Sequence, residues 1–120
     1  DQAITATTDW LTANPDAKYV LCGTIDDERA SGMARALSQA GREGGCVGQG
    51  ADLPGTSLLH EGSIEDTKYI STVAYYPEKY GEFLVNIAID VIEGRAVPQE
   101  VHMAHMIVDR SNVGDLYPQG

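Results

Sequence analysis

Short apolar runs that stop after four to six residues, each leading into a segment of helical period, constrain this chain most. Tyr19-Val20-Leu21-Cys22 is one such run, too short for a helix, with the pattern of a strand buried on both faces. A helix follows from about Glu28 to Gln39, with Met33, Ala34, Leu37 and Ala40 on one face. Asp26 or Asp27 is placed to cap its start and Gly41 to end it. Tyr69-Ile70-Ser71-Thr72-Val73-Ala74 is the clearest strand by its β-branched and aromatic content. Pro77 then opens a long helix to about Glu93, closed by Gly94. Its Tyr80, Phe83, Leu84, Ile87, Val91 and Ile92 form a strong apolar stripe. Strand–helix alternation of this kind predicts an α/β fold, a three-layer α/β/α arrangement with a mostly parallel sheet.

The remaining segments fit the same plan. Residues Ile4 to Thr12 read as a helix, with Trp10 and Leu11 among its apolar positions, broken by Asn14-Pro15-Asp16. Cys46-Val47-Gly48 sits where the next strand is expected. Pro54 to Glu61 holds a short helix with Leu58 and Leu59 inward, and Val101 to Val108 reads as one or two final strands.

With 120 residues, 42% of them hydrophobic, the chain is long enough to bury roughly two-thirds of its unfolded surface. Eighteen Asp and Glu against eight Lys and Arg give a net charge of −10. That sign argues against nucleic acid and against anionic membranes, both of which are held by Lys and Arg. No apolar run approaches the ~18 residues of a membrane span. The chain begins Asp1-Gln2-Ala3-Ile4, without an initiator Met or a signal peptide, so a processed, truncated or excised chain is expected.

In open α/β sheets ligands bind beyond the carboxyl ends of the strands. The three strand exits are Gly23 to Asp27, Gln49 to Asp52, and Tyr75-Tyr76, all polar or aromatic directly after an apolar run. Asp26-Asp27-Glu28 serves either to cap a helix or to accept hydrogen bonds from ligand hydroxyls. Metal is not expected there, because no further ligand pattern accompanies the cluster. Gly48-Gln49-Gly50 fails as a nucleotide loop, since the third glycine of that motif falls on Leu53. No catalytic nucleophile has a recognisable setting, and no cofactor is implied. His102 and His105, in a strand, face opposite sides and make poor co-ligands for a metal. Cys22 and Cys46 lack metal or redox spacing and read as two small buried side chains. Of two consecutive tyrosines, one can face a cleft. Aromatics with carboxylates and amides, and no cationic clamp, favour a neutral polyol over an anion.

The order of segments resembles the type I periplasmic sugar-binding proteins. Leu11-Thr12-Ala13-Asn14-Pro15-Asp16-Ala17-Lys18-Tyr19-Val20 is similar to that family's helix-to-strand passage. Asp26-Asp27-Glu28-Arg29-Ala30-Ser31-Gly32 is similar to its Asn-Asp-x-x-Ala-x-Gly segment. The run from Ser71 to Gly81 resembles its late strand and the following helix start, Val91 to Pro98 its helix end, and His105 to Asn112 its last strand.

The resemblance implies the C-terminal half of a two-lobed solute receptor for an ABC importer, which closes on a sugar by a hinge. Its partners are then the sugar, the N-terminal lobe and the transporter permease, in a periplasmic or extracytoplasmic setting. Residues 1–74 correspond to the C-terminal lobe, 75–102 to a segment returning to the other lobe, and 103–120 to the last strand and tail. The ligand-binding positions are Asp26, where the family usually has Asn, Gln49, Asp52 as the nearest acid after the Val-Gly strand, and Tyr75, where an amide often stands. The stripe from Tyr80 to Ile92 then lacks its partner in this chain and is expected to be exposed, swapped or rebuilt, with self-association if exposed. The effector domain of a LacI-type regulator resembles the same fold and is the alternative. It is disfavoured because Gly41-Arg42-Glu43-Gly44-Gly45 stands where such regulators often carry Val-Pro-x-Asp.

Overall fold

The computed structural model describes residues 2–119. Helix α1 (Gln2–Ala13) leads into β1 (Tyr19–Gly23), α2 (Asp27–Gln39), β2 (Glu43–Val47), α3 (Gly55–His60), α4 (Ile64–Thr67) and β3 (Tyr69–Ala74). A single 3₁₀ turn at Pro77–Lys79 runs into α5 (Tyr80–Ile92), followed by β4 (Met106–Val108) and α6 (Val113–Leu116). The sheet has the order β1-β2-β3-β4, the first three strands parallel and β4 antiparallel to β3. The α/β class and the mostly parallel sheet expected from the alternation are therefore present.

Strands that ascend in sequence order and are joined by right-handed crossovers place their connecting helices on one face. Leu11 of α1, Ala30, Ala34 and Leu37 of α2, and Leu59 of α3 accordingly meet Val20, Cys46, Tyr69 and Val108 in one core. Asp26 caps α2 by accepting from the Arg29 N–H at 2.8 Å. Gly41, with φ +62°, takes the left-handed turn that stops it.

The opposite face of the sheet is open. Tyr19 and Leu21 alternate with buried Val20 and are 76% and 79% exposed, and Val47 and Ile107 lie exposed as well. The expectation that Tyr19–Cys22 is buried on both faces is thus corrected: one helical layer covers it. An uninterrupted apolar run signals that two faces want covering, not that one chain covers both. Trp10 is exposed, while its neighbour Leu11 enters the core.

Helix α5 stands apart. None of its residues is buried, and the molecule measures 61 × 32 × 21 Å with a radius of gyration of 18.3 Å. A compact chain of this length has about 14 Å. The expected strand over Val101 to Val108 shrinks to Met106–Val108, because β3 offers only Thr72, Val73 and Ala74 as register partners.

Candidate ligand-binding site

The three parallel strands end side by side, so their exit loops share one rim of the sheet. A groove of about 460 Å³ lies along it and down the open face, lined by Gly23, Thr24, Ile25, Val47, Gly48, Gln49, Ser71, Val73 and Ile107. Its floor is largely apolar and its rim carries a side-chain amide and hydroxyls, a combination suited to a ligand with C–H faces and neutral polar groups.

Two of the four candidate residues are brought together. The Tyr75 hydroxyl donates to the side-chain oxygen of Gln49, joining the β3 exit to the β2 exit. The Tyr75 ring packs against His105, centroids 4.7 Å apart and tilted by 51°. This leaves the Gln49 amide nitrogen as a donor beside the groove. Asp26 lies one residue from the groove-lining Ile25, with its carboxylate paired to Arg29 and to the start of α2. Asp52 is exposed in the loop after β2. Of the two tyrosines, Tyr76 takes the left-handed region at φ 54°, packs against the core and stacks under the Lys79 ammonium.

Asp27 is the residue that sequence reasoning undervalued. It is 1% exposed and holds the site together from beneath. One carboxylate oxygen accepts from the Tyr69 hydroxyl at 2.7 Å and the Thr72 hydroxyl at 2.6 Å, and the other accepts from the Asp52 N–H at 2.8 Å. The Thr72 oxygen in turn accepts from the Ala51 N–H at 3.2 Å. The burial of this carboxyl group is tolerated because the hydrogen bonds it accepts replace its hydration. Burial and this bond push the Tyr69 phenol well above its usual range, so it stays a donor. The glycines that looked like a phosphate loop serve this node. A Cβ on Gly48 would stand 2.1 Å from an Asp27 carboxylate oxygen and 2.5 Å from the Tyr69 hydroxyl. Asp26 and Asp27 are indistinguishable in composition. Only the exact start of α2 decides which turns inward.

His102 and His105 do not lie on opposite faces of a strand. Both line a second groove with Tyr80, Phe83 and Met103, between α5 and the returning segment. Among the described residues no three His, Cys, Asp or Glu side chains are grouped to hold a metal. No helix among them is long and apolar enough to cross a membrane.

No family model and no curated protein matches the sequence. Solved structures match it closely in fold. One is an ABC transporter solute-binding protein from Mycobacterium smegmatis with bound glycerol, 28% identical over 98% of this chain and 39% of that one, with a TM-score of 0.75. A second, from Agrobacterium vitis with bound allitol, is 19% identical over 96% and 39%, with a TM-score of 0.79. A third, a periplasmic solute-binding protein from Actinobacillus succinogenes with bound D-allose, is 21% identical over 95% and 39%, with a TM-score of 0.76. The chain thus has the fold of a type I periplasmic sugar-binding lobe, and the likeness read from its ordered segments is borne out. It spans about two fifths of the length of these proteins, as a C-terminal part of one would.

Proposed function

We propose that this chain is the C-terminal part of an extracytoplasmic receptor that captures a neutral sugar or polyol and delivers it to the permease of an ABC importer. The reading is of a binding protein and not an enzyme. The observation that carries it is the Gln49–Tyr75 pair on the rim of an apolar groove, in a fold whose solved examples hold D-allose, allitol and glycerol. In this reading Gln49 donates to a ligand hydroxyl and Tyr75 orients the amide. Asp52, and Asp26 on release from Arg29, accept from further hydroxyls. Residues 75–102, with α5, belong to a second lobe that closes over the groove by a hinge. Residues 103–120 return to the first lobe, where β4 pairs with β3.

The test is an NMR titration of the ¹⁵N-labelled chain with D-allose, allitol and glycerol, with a sugar phosphate as the anionic control. The neutral ligands are expected to shift the Gln49 side-chain amide and the backbone of residues 24–26 and 49–52. Gln49→Ala is expected to remove those shifts. Shifts confined to other regions, or a response to the anion alone, would overturn the reading.

A further inference from the structure

The cysteines are the reactive groups that the proposed binding role leaves unused. They stand 24 positions apart, yet Cys22 of β1 and Cys46 of β2 are register partners in a parallel pair. Adjacent strands lie about 4.8 Å apart and register partners share a face. That places the two Cα atoms inside the ~4.4–6.8 Å range that a disulfide spans. Both are free thiols with different surroundings. Cys46 is wholly enclosed in the core, whereas Cys22 is half-buried and opens into a groove of about 280 Å³ with Trp10, Val20 and Met33. The neighbouring Cys46 thiol draws Cys22 down to about 7 against the opposing effect of burial. The proximity of Cys22, together with burial, pushes Cys46 far up, so the buried sulfur keeps the proton.

We propose that Cys22 and Cys46 form a thiol–disulfide exchange site for low-molecular-weight disulfides, with Cys22 as the attacking and Cys46 as the resolving thiol. The Cys22 thiolate attacks one sulfur of the small disulfide, forming a mixed disulfide and expelling one thiolate. Cys46 then gives up its proton to that thiolate, attacks the Cys22 sulfur and expels the second. The protein loses two electrons and two protons in all, and the small disulfide is reduced to two thiols. The bridge so formed ties the strand leading to Asp26 to the strand leading to Gln49.

The experiment treats the native chain with 5,5′-dithiobis(2-nitrobenzoate) and reads released chromophore and intact mass. Wild type is expected to release two chromophores and to end about 2 Da lighter without an adduct. Cys46→Ala is expected to release one and retain one on Cys22, quenching the fluorescence of Trp10 alongside. Cys22→Ala is expected to react at least roughly tenfold more slowly, because only the enclosed thiol remains. An adduct retained on wild type, a native chain that does not react, or a Cys22→Ala variant that reacts as fast as wild type would overturn the proposal. The wild-type mass decides the matter even where a variant fails to fold.

Discussion

Helices α2 and α5 are both 13 residues long, and α5 is much the more apolar, yet α2 buries six residues and α5 none. The difference lies in what each has to pack against. Small residues on the inner face of α2, Ala30 and Ala34, let its backbone come down onto the sheet, with Leu37 filling the space beyond. Helix α5 carries Phe83, Leu84, Val85 and Ile89, which suit a partner surface, but it leaves the sheet before meeting one. Hydrophobicity says that a helix wants burial. Topology decides whether it gets it.

The sharpest way to break this contrast is to truncate a matching side chain in each helix. Leu37→Ala opens a cavity at a fully enclosed position and is expected to cost roughly 2–5 kcal/mol. Ile89→Ala, on a helix with no buried residue, is expected to change stability by less than about 0.5 kcal/mol. Urea unfolding of the two variants measures both. Equal costs would mean that α5 is packed on the domain after all.

Next in size is the polar node under the exit loops. Asp27→Asn presents an NH₂ group to the Asp52 N–H or to the Tyr69 and Thr72 hydroxyls, so at least one buried donor loses its acceptor. A loss of about 2 kcal/mol is expected, with NMR shifts spreading through residues 49–52. A variant as stable as wild type would show that the loop does not hang on this carboxylate.

Much of this architecture is legible in the sequence, and the reasons are local. Pro15, Gly41, Pro77 and Gly94 punctuate it, and α1, α2, α3 and α5 carry enough periodic residues to declare themselves. Helices α4 and α6 span four residues each, too few for a period to show, although Ser63 and Asp66 form a capping box that marks the first. The Gln49–Tyr75 pairing follows from two strand exits being neighbours. The inward turn of Asp27 and the meeting of Cys22 with Cys46 depend on helix start and strand register, which composition does not encode.

Arg110 supplies a smaller test of how the domain side is held. Its guanidinium donates to the carbonyls of Gly62, Leu58, Ser63 and Tyr69, at 3.0, 3.2, 3.1 and 2.6 Å, and to the Thr67 hydroxyl at 2.6 Å. One side chain after β4 thus gathers the turns around α3 and α4. Arg110→Met keeps the aliphatic stem and removes the donors. A loss of about 1–2 kcal/mol is expected, tempered by partial exposure of the group to water.

The smallest effect on stability comes with the largest on association. An apolar helix with no buried residue is a surface that water disfavours, and a second copy is the partner always at hand. Wild type is therefore expected to elute above its 12.9 kDa mass in size-exclusion chromatography and to shift with concentration. Leu84→Gln combined with Ile89→Gln is expected to abolish that shift while leaving the unfolding free energy within about 0.5 kcal/mol. If wild type stays monomeric at every concentration, the stripe is satisfied within the chain and the contrast between α2 and α5 fails. If the double variant still associates, the exposed sheet face around Tyr19 and Leu21 carries the contact, and the same measurement on Leu21→Lys would locate it there.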